Sequence, residues 1–229
     1  MKLLKILLVI AILISPIYAQ WSMHSFRLEN ADFKNIFFKS NYGWIVGSNG
    51  IILSSSDRGE TWQQQNSQTA NHLNSVNFIN ENFGWVVGDS GTYLKTTDGG
   101  STWKKQIIGF NNDFYRVQFV DTTIGFISGK NIVIKTTNGG NSWTPIIYNL
   151  DEFYGMYWLN ENIGFVGKDT NISFPRTLIQ KTTNGGLNWN LSSIDKFPYF
   201  NIIFEIKFKQ NIGYAIGEDF LVWRTTNYW

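Results

Sequence analysis

Short runs of alternating polarity recur along this chain, with Gly, Asn, Asp and Ser between them. Val76-Asn77-Phe78, Val117-Gln118-Phe119 and Ile206-Lys207-Phe208 are examples. Each leads to a run that begins and ends in glycine: Gly43-Trp44-Ile45-Val46-Gly47, Gly84-Trp85-Val86-Val87-Gly88, Gly125-Phe126-Ile127-Ser128-Gly129, Gly164-Phe165-Val166-Gly167 and Gly213-Tyr214-Ala215-Ile216-Gly217. A third apolar run follows, as at Ile51-Ile52-Leu53, Tyr93-Leu94 and Ile132-Val133-Ile134. Period-two alternation with β-branched and aromatic residues predicts strands, and no window of about a dozen residues beyond the N-terminal segment carries a helical stripe.

The third run ends each time in the same kind of turn. It reads Ser55-Ser56-Asp57-Arg58-Gly59-Glu60-Thr61-Trp62, then Thr96-Thr97-Asp98-Gly99-Gly100-Ser101-Thr102-Trp103, then Thr136-Thr137-Asn138-Gly139-Gly140-Asn141-Ser142-Trp143, then Thr182-Thr183-Asn184-Gly185-Gly186-Leu187-Asn188-Trp189. A fifth copy starts at Thr225-Thr226-Asn227, and the Asp/Asn positions are 41, 40, 46 and 43 residues apart. A unit of four strand-length runs at this period is the size of a propeller blade, and one blade cannot bury both of its faces alone. The expected fold is all-β, a β-propeller of about five four-stranded antiparallel blades at 27–67, 68–108, 109–148, 149–194 and 195–229. The aromatic after the first glycine of the glycine-bounded run is suited to fill the space between blades.

Every position of the turn has a structural role. Asp or Asn accepts hydrogen bonds from loop amides, the Ser/Thr before it adds a local bond, and Gly tolerates positive φ. The Trp opens the fourth strand and folds back over the turn. Asp57, Gly59 and Trp62, Asp98, Gly100 and Trp103, Asn138, Gly140 and Trp143, and Asn184, Gly186 and Trp189 therefore read as structural. Asn138 and Asn184 stand where Asp57 and Asp98 do, and an amide cannot serve as a general acid or base.

These linked motifs resemble the Asp-box (bacterial neuraminidase repeat) propellers, and within them the branch related to the photosystem II assembly and stability factor. The resemblance covers residues 21–229 and implies the fold. It leaves function open, because this architecture serves sialidases, other glycosidases, receptors and assembly factors alike. Members of the assembly-factor branch bind proteins through a basic patch. Here Arg27, Arg58, Arg116, Arg176 and Arg224 are spread over different blades.

The N-terminus has another purpose. Lys2 and Lys5, the apolar run Ile6–Ile14, and Ser15-Pro16-Ile17-Tyr18-Ala19 form a signal-peptide pattern over 1–19, leaving Gln20 as the first mature residue. This predicts export and no membrane span after cleavage. With no cysteine in the chain, disulfides and thiolate chemistry are excluded. A net charge of +2 and only 16% charged residues argue against nucleic acid. His24 and His72 are the only histidines, and neither metal nor cofactor is expected.

A hydrolase would need more than the chain offers. Phe26-Arg27-Leu28-Glu29 matches part of a sialidase motif but lacks its proline, and one arginine is not a triad. Asp151-Glu152 and Glu218-Asp219 are adjacent pairs, which an extended strand sends to opposite sides. Binding is expected on the rim opposite the boxes, formed by 63–74, 104–114, 144–153 and 190–204. Phe110, Phe114, Tyr115, Phe153, Tyr154 and Tyr199 lie there, with Phe174 and Arg176 in the longer insertion of the fourth blade (169–177). Aromatics beside amides suit a sugar or a protein partner.

Trp21 precedes Trp62 by one period of 41 residues, so 21–26 is expected to be a lone fourth strand that closes the last blade. The chain stops inside a box, which favours a piece of a larger propeller over a five-bladed ring. The reading is an exported, non-catalytic binding or assembly platform for a protein or glycan. Its alternatives are a sialidase-like glycoside hydrolase and the repeat portion of a larger secreted surface protein.

Overall fold

A computed structural model describes residues 31–169, 178–192, 202–217 and 222–226. The expected signal segment 1–19, the expected closing strand at 21–26 and most of the expected fourth-blade insertion lie outside the described residues. The first blade is β1 (Phe33–Lys39), β2 (Tyr42–Gly47), β3 (Ile52–Ser55) and β4 (Gln63–Gln65), paired in chain order. The second is β5 (Leu73–Phe78), β6 (Gly84–Gly88), β7 (Tyr93–Thr96) and β8 (Lys104–Lys105). The third is β9 (Phe114–Phe119), β10 (Gly125–Thr136) and β11 (Thr144–Glu152). β10 carries the second and third runs without a break: Gly125–Gly129 pairs with β9 and Lys130–Lys135 with β11. The fourth blade is β12 (Met156–Trp158), β13 (Gly164–Lys168), β14 (Leu178–Thr182) and β15 (Asn190–Ser192). The fifth is β16 (Ile203–Lys209), β17 (Ile212–Gly217) and β18 (Val222–Thr225). The fold is an all-β propeller of antiparallel blades. A 3-10 turn at Ser48–Gly50 is the only helical element among the described residues.

The expected loop at 144–153 is a correction. Nine of its residues form β11, which follows β10 through two register shifts and so keeps its backbone groups paired.

The core lies between blades rather than within them. Trp44, Val46 and Ile52 of the first blade meet Leu73, Val76 and Phe78 of the second. Trp85, Val87 and Tyr93 of the second meet Phe114, Val117 and Phe119 of the third. Phe126 and Val133 meet Phe153, Met156 and Trp158, and Phe165 and Ile179 meet Ile203 and Ile206. One stack repeats at the joints, Trp44 on Phe78 at 3.5 Å, Trp85 on Phe119 at 3.6 Å and Phe126 on Trp158 at 3.4 Å between ring centroids. The aromatic of the glycine-bounded run fills the inter-blade space, as its sequence position predicts. Tyr214 departs from this. It is 47% exposed, because among the described residues no blade packs on the far face of the fifth. Phe33, Ile36 and Phe38 on the near face of the first blade are exposed for the same reason.

First strands also bond to one another. Val76 N donates to Asn35 Oδ1 at 3.1 Å, and Val117 N to Ser75 Oγ at 3.2 Å. Trp158 N donates to Gln118 Oε1 at 2.8 Å, while Gln118 Nε2 donates to Trp158 O at 2.7 Å. These crossings place the first strands side by side around the central axis.

Candidate functional site

The two rims of the propeller differ in chemistry. Box turns dock on the first-to-second-strand turns, with Gly99 N donating to Asn82 O at 2.9 Å and Gly139 N to Thr123 O at 2.7 Å. Within a box, Gly100 N donates to Thr96 Oγ1 at 2.8 Å and Thr102 N to Asp98 Oδ1 at 2.8 Å. Asn138 Oδ1 accepts from Ser142 N and Asn184 Oδ1 from Asn188 N, both at 2.9 Å, so amide and carboxylate do the same work. The Thr61 hydroxyl and amide hold the Asp57 carboxyl down at about 2, and the Thr102 hydroxyl and amide likewise depress Asp98. Both carboxylates are consumed by their own turns.

On the opposite rim the first strands begin with a repeated irregularity. Pairing skips a residue between Phe33 and Asn35, between Leu73 and Ser75, and between Ile203 and Glu205. In β9 the skipped residue is Tyr115, since Ser128 pairs with Arg116 and Gly129 with Phe114. A bulge leaves its residue unpaired and re-aims the side chain. Lys34, Asn74, Tyr115, Tyr154 and Phe204 occupy this position in the five blades.

Tyr115 and Tyr154 stack there, centroids 4.4 Å apart and planes within 10°. Both hydroxyls donate to Glu152 Oε2, from Tyr115 at 3.2 Å and from Tyr154 over a short contact. Lys130 Nζ stands 4.0 Å from the other oxygen of Glu152, and Lys168 Nζ pairs with Asp151 at 2.6 Å. Partial burial pushes Tyr154 up to about 12, reinforced by its bond to Glu152. Burial and the two neighbouring groups also raise Tyr115.

Arg116 carries the site across to the fifth blade. Its Nη2 donates to Phe204 O at 2.8 Å and pairs with Glu205 at 3.2 Å. The intervening fourth blade has Gly155 at this level, which leaves no side chain in the way. Glu205 also holds Lys207 at 3.1 Å.

Of the aromatics expected on this rim that lie among the described residues, Tyr115 and Tyr154 come together on its surface. Phe114 and Phe153 are fully buried inside the inter-blade cores, a correction to their expected role: Phe114 starts β9 and Phe153 lies just ahead of β12, and each packs against the preceding blade. Phe110 is half-buried against the core between the second and third blades. Phe174, Arg176 and Tyr199 lie outside the described residues. In the sequence Glu152 stands out only as one of an adjacent carboxylate pair and Arg116 only as one of five scattered arginines, and Lys130 does not stand out at all. The available signal was the aligned position that reads Tyr115 and Tyr154 in consecutive blades.

Chemically, the cluster is a semi-rigid aromatic and polar surface. No group of His, Asp and Glu among the described residues could hold a metal ion. No helix among them is long and apolar enough to cross a membrane.

Residues 60–152 match the family model of the photosynthesis system II assembly factor YCF48. No curated protein matches the chain. Among solved structures, a GH74 enzyme of Niastella koreensis is 19% identical with a TM-score of 0.64, over 82% of this chain and 35% of its own. The GH74 xyloglucanase of Xanthomonas campestris is 11% identical with a TM-score of 0.63, over 82% of this chain and 36% of its own. A structure described as YCF48 bound to D1 peptide is 14% identical with a TM-score of 0.48, over 85% of this chain and 93% of its own. The chain spans about a third of the length of the two GH74 enzymes, and likeness at these identities shows the fold alone. The chain is a β-propeller of BNR-type repeats, similar over residues 60–152 to the assembly factor YCF48.

Proposed function

We propose that this chain is a non-catalytic propeller that binds a protein partner on the rim bearing Tyr115, Tyr154 and Glu152. The observation that carries the reading is the stacked tyrosine pair on a shared carboxylate, half-buried on this rim. Rigid, part-buried aromatics with polar tips are the residues through which protein interfaces gain most of their energy. Paired charges around them, Lys130, Lys168, Arg116 and Glu205, supply a polar rim. The match of residues 60–152 to an assembly-factor family supports a binding role.

A sialidase-like hydrolase is the competing reading, since a Tyr beside a Glu is the nucleophile pair such an enzyme needs. Its tyrosine must ionise easily, yet both phenols here are pushed the other way. Asp151, Glu152 and Glu205 are also held by lysine or arginine. The signal pattern at 1–19 supports an exported protein, and N-terminal sequencing of the secreted product tests it, with Gln20 expected first.

The experiment is affinity capture with residues 20–229, followed by titration of the captured protein. Combining Tyr115→Ala with Tyr154→Ala is expected to weaken binding at least about a hundredfold, the loss of two interface anchors. Turnover of sialoside or glucan substrates that disappears in Glu152→Gln would overturn the reading.

A further inference from the structure

On the box rim, an open groove of about 470 Å³ lies between the first and second blades. The equivalent groove on the second blade measures about 200 Å³ and is lined by Lys95, Thr97, Thr102, Lys104 and Gln106. The repeat aligns these five with Ser54, Ser56, Thr61, Gln63 and Gln65, all of which line the larger groove. Two cations have thus become a hydroxyl and a carboxamide.

That exchange explains the size. Lys95 Nζ spans the joint to donate to Gly139 O at 2.7 Å, and Lys135 reaches Gly185 O at 3.4 Å in the next. Ser54 is too short to span. The corresponding carbonyl, Gly99 O, is instead served from below by Trp44 Nε1 at 3.0 Å and Gln65 Nε2 at 3.3 Å. The space that a lysine fills elsewhere is left open, and its floor is neutral.

The lining restricts what can occupy it. Among the described residues no lysine, arginine or histidine borders the groove, while Glu81 and Asp98 do, so phosphate, nucleotide and acidic sugar are disfavoured. Its volume falls within the roughly 300–1,000 Å³ of small-molecule sites, but those are mostly apolar, whereas amides and hydroxyls dominate here. Gln63 and Gln64 are exposed, and their carboxamides make no hydrogen bond among the described residues. One aromatic face is available: Tyr42, 39% exposed and lying over Trp44 with centroids 6.3 Å apart at 20°. Phe83, Ile124 and Ile163 take its place in the next three blades, where they pack partly buried against a core.

A ring face flanked by uncommitted amides and hydroxyls matches a pyranose, whose C–H face stacks and whose hydroxyls both donate and accept. We propose that this groove binds a neutral oligosaccharide, with Tyr42 as platform and Gln63, Gln64 and Ser54 as polar contacts. It is separate from the tyrosine rim and stands whether or not that rim binds a protein.

The test is calorimetric and saturation-transfer NMR titration of residues 20–229 with cellotetraose, mannotetraose and chitotetraose, with sialyllactose as the acidic comparison. At least one neutral probe is expected to saturate below about 10 mM, and sialyllactose is not. Tyr42→Ala should weaken that binding by about tenfold. Ser54→Lys should weaken it as much while the thermal midpoint holds, because three other blades already carry lysine there. Failure of every neutral probe, or binding unchanged in a folded Ser54→Lys variant, overturns the proposal. So does displacement of the sugar from the groove by a short neutral peptide that binds more tightly, which would make it a peptide site.

Discussion

Replacing Trp103 with alanine tests whether the box tryptophan holds blades together or only its own hairpin. Its side chain is 1% exposed in the core between the first two blades, edge-on to Phe78 with centroids 5.9 Å apart. Its Nε1 donates to Gln65 Oε1, on the preceding blade, at 2.9 Å. Truncating a buried aromatic of this size costs about 3–5 kcal/mol, and stranding the Gln65 oxygen adds about 1 kcal/mol. A chain of this length shifts its melting midpoint by roughly 2–4 °C per kcal/mol, so a fall of about 8–24 °C is expected. Trp103→Phe keeps most of the filled volume, loses the hydrogen bond, and should cost less than half as much. Trp62 provides the contrast: it is half-buried and its Nε1 donates to Gly59 O of its own turn at 3.0 Å. Thermal and urea unfolding followed by circular dichroism measure all three. A Trp103→Ala loss below about 2 kcal/mol, or one equal to that of Trp62→Ala, would refute an inter-blade role.

Other consequences follow from the same geometry. Asp57 and Asp98 have folded pKa values below the ordinary 3.8, so their contribution is present above that value and fades as pH falls below it, for Asp57 towards about 2. Changing both to Asn should leave the fold intact at neutral pH, as at Asn138 and Asn184, and flatten the acid limb of a plot of melting temperature against pH. An unchanged limb would show that the turns do not bind these carboxylates. Glu152→Gln should lower the ionisation midpoints of Tyr115 and Tyr154 in ultraviolet difference titration, yet leave both raised, because burial is the larger cause. Midpoints that do not move would dissolve the cluster. Gly140→Ala, at φ +86 with the Tyr93 hydroxyl in the way of a Cβ, should lose clearly more stability than Gly109→Ala, at φ +82 with nothing within 4 Å. Equal losses in urea unfolding would mean that conformation alone matters there.

The repeat, the strands, the box turns and the inter-blade aromatics were all legible in the sequence. Each is local: alternation records which side of a strand loses water, and a turn that needs positive φ and a side-chain acceptor states both within eight residues. Trp44, Trp85, Phe126 and Phe165 could be placed between blades because a blade has two faces and both need a neighbour. What the chain does at its rims was not legible in this way. Phe114 and Tyr115 are adjacent and both aromatic, yet one is sealed in a core and the other faces the rim, because a bulge between them turns the second side chain away. Tyr115 meets Tyr154, and Arg116 reaches past Gly155 to Glu205, only because the first strands converge on one axis. Ser54 likewise reads as an ordinary departure from Lys95, Lys135 and Lys181 until the joint it fails to span is seen. The face of the strand on which a side chain stands is set by its neighbours along the chain; the meeting of side chains from different blades is decided by how those blades stack.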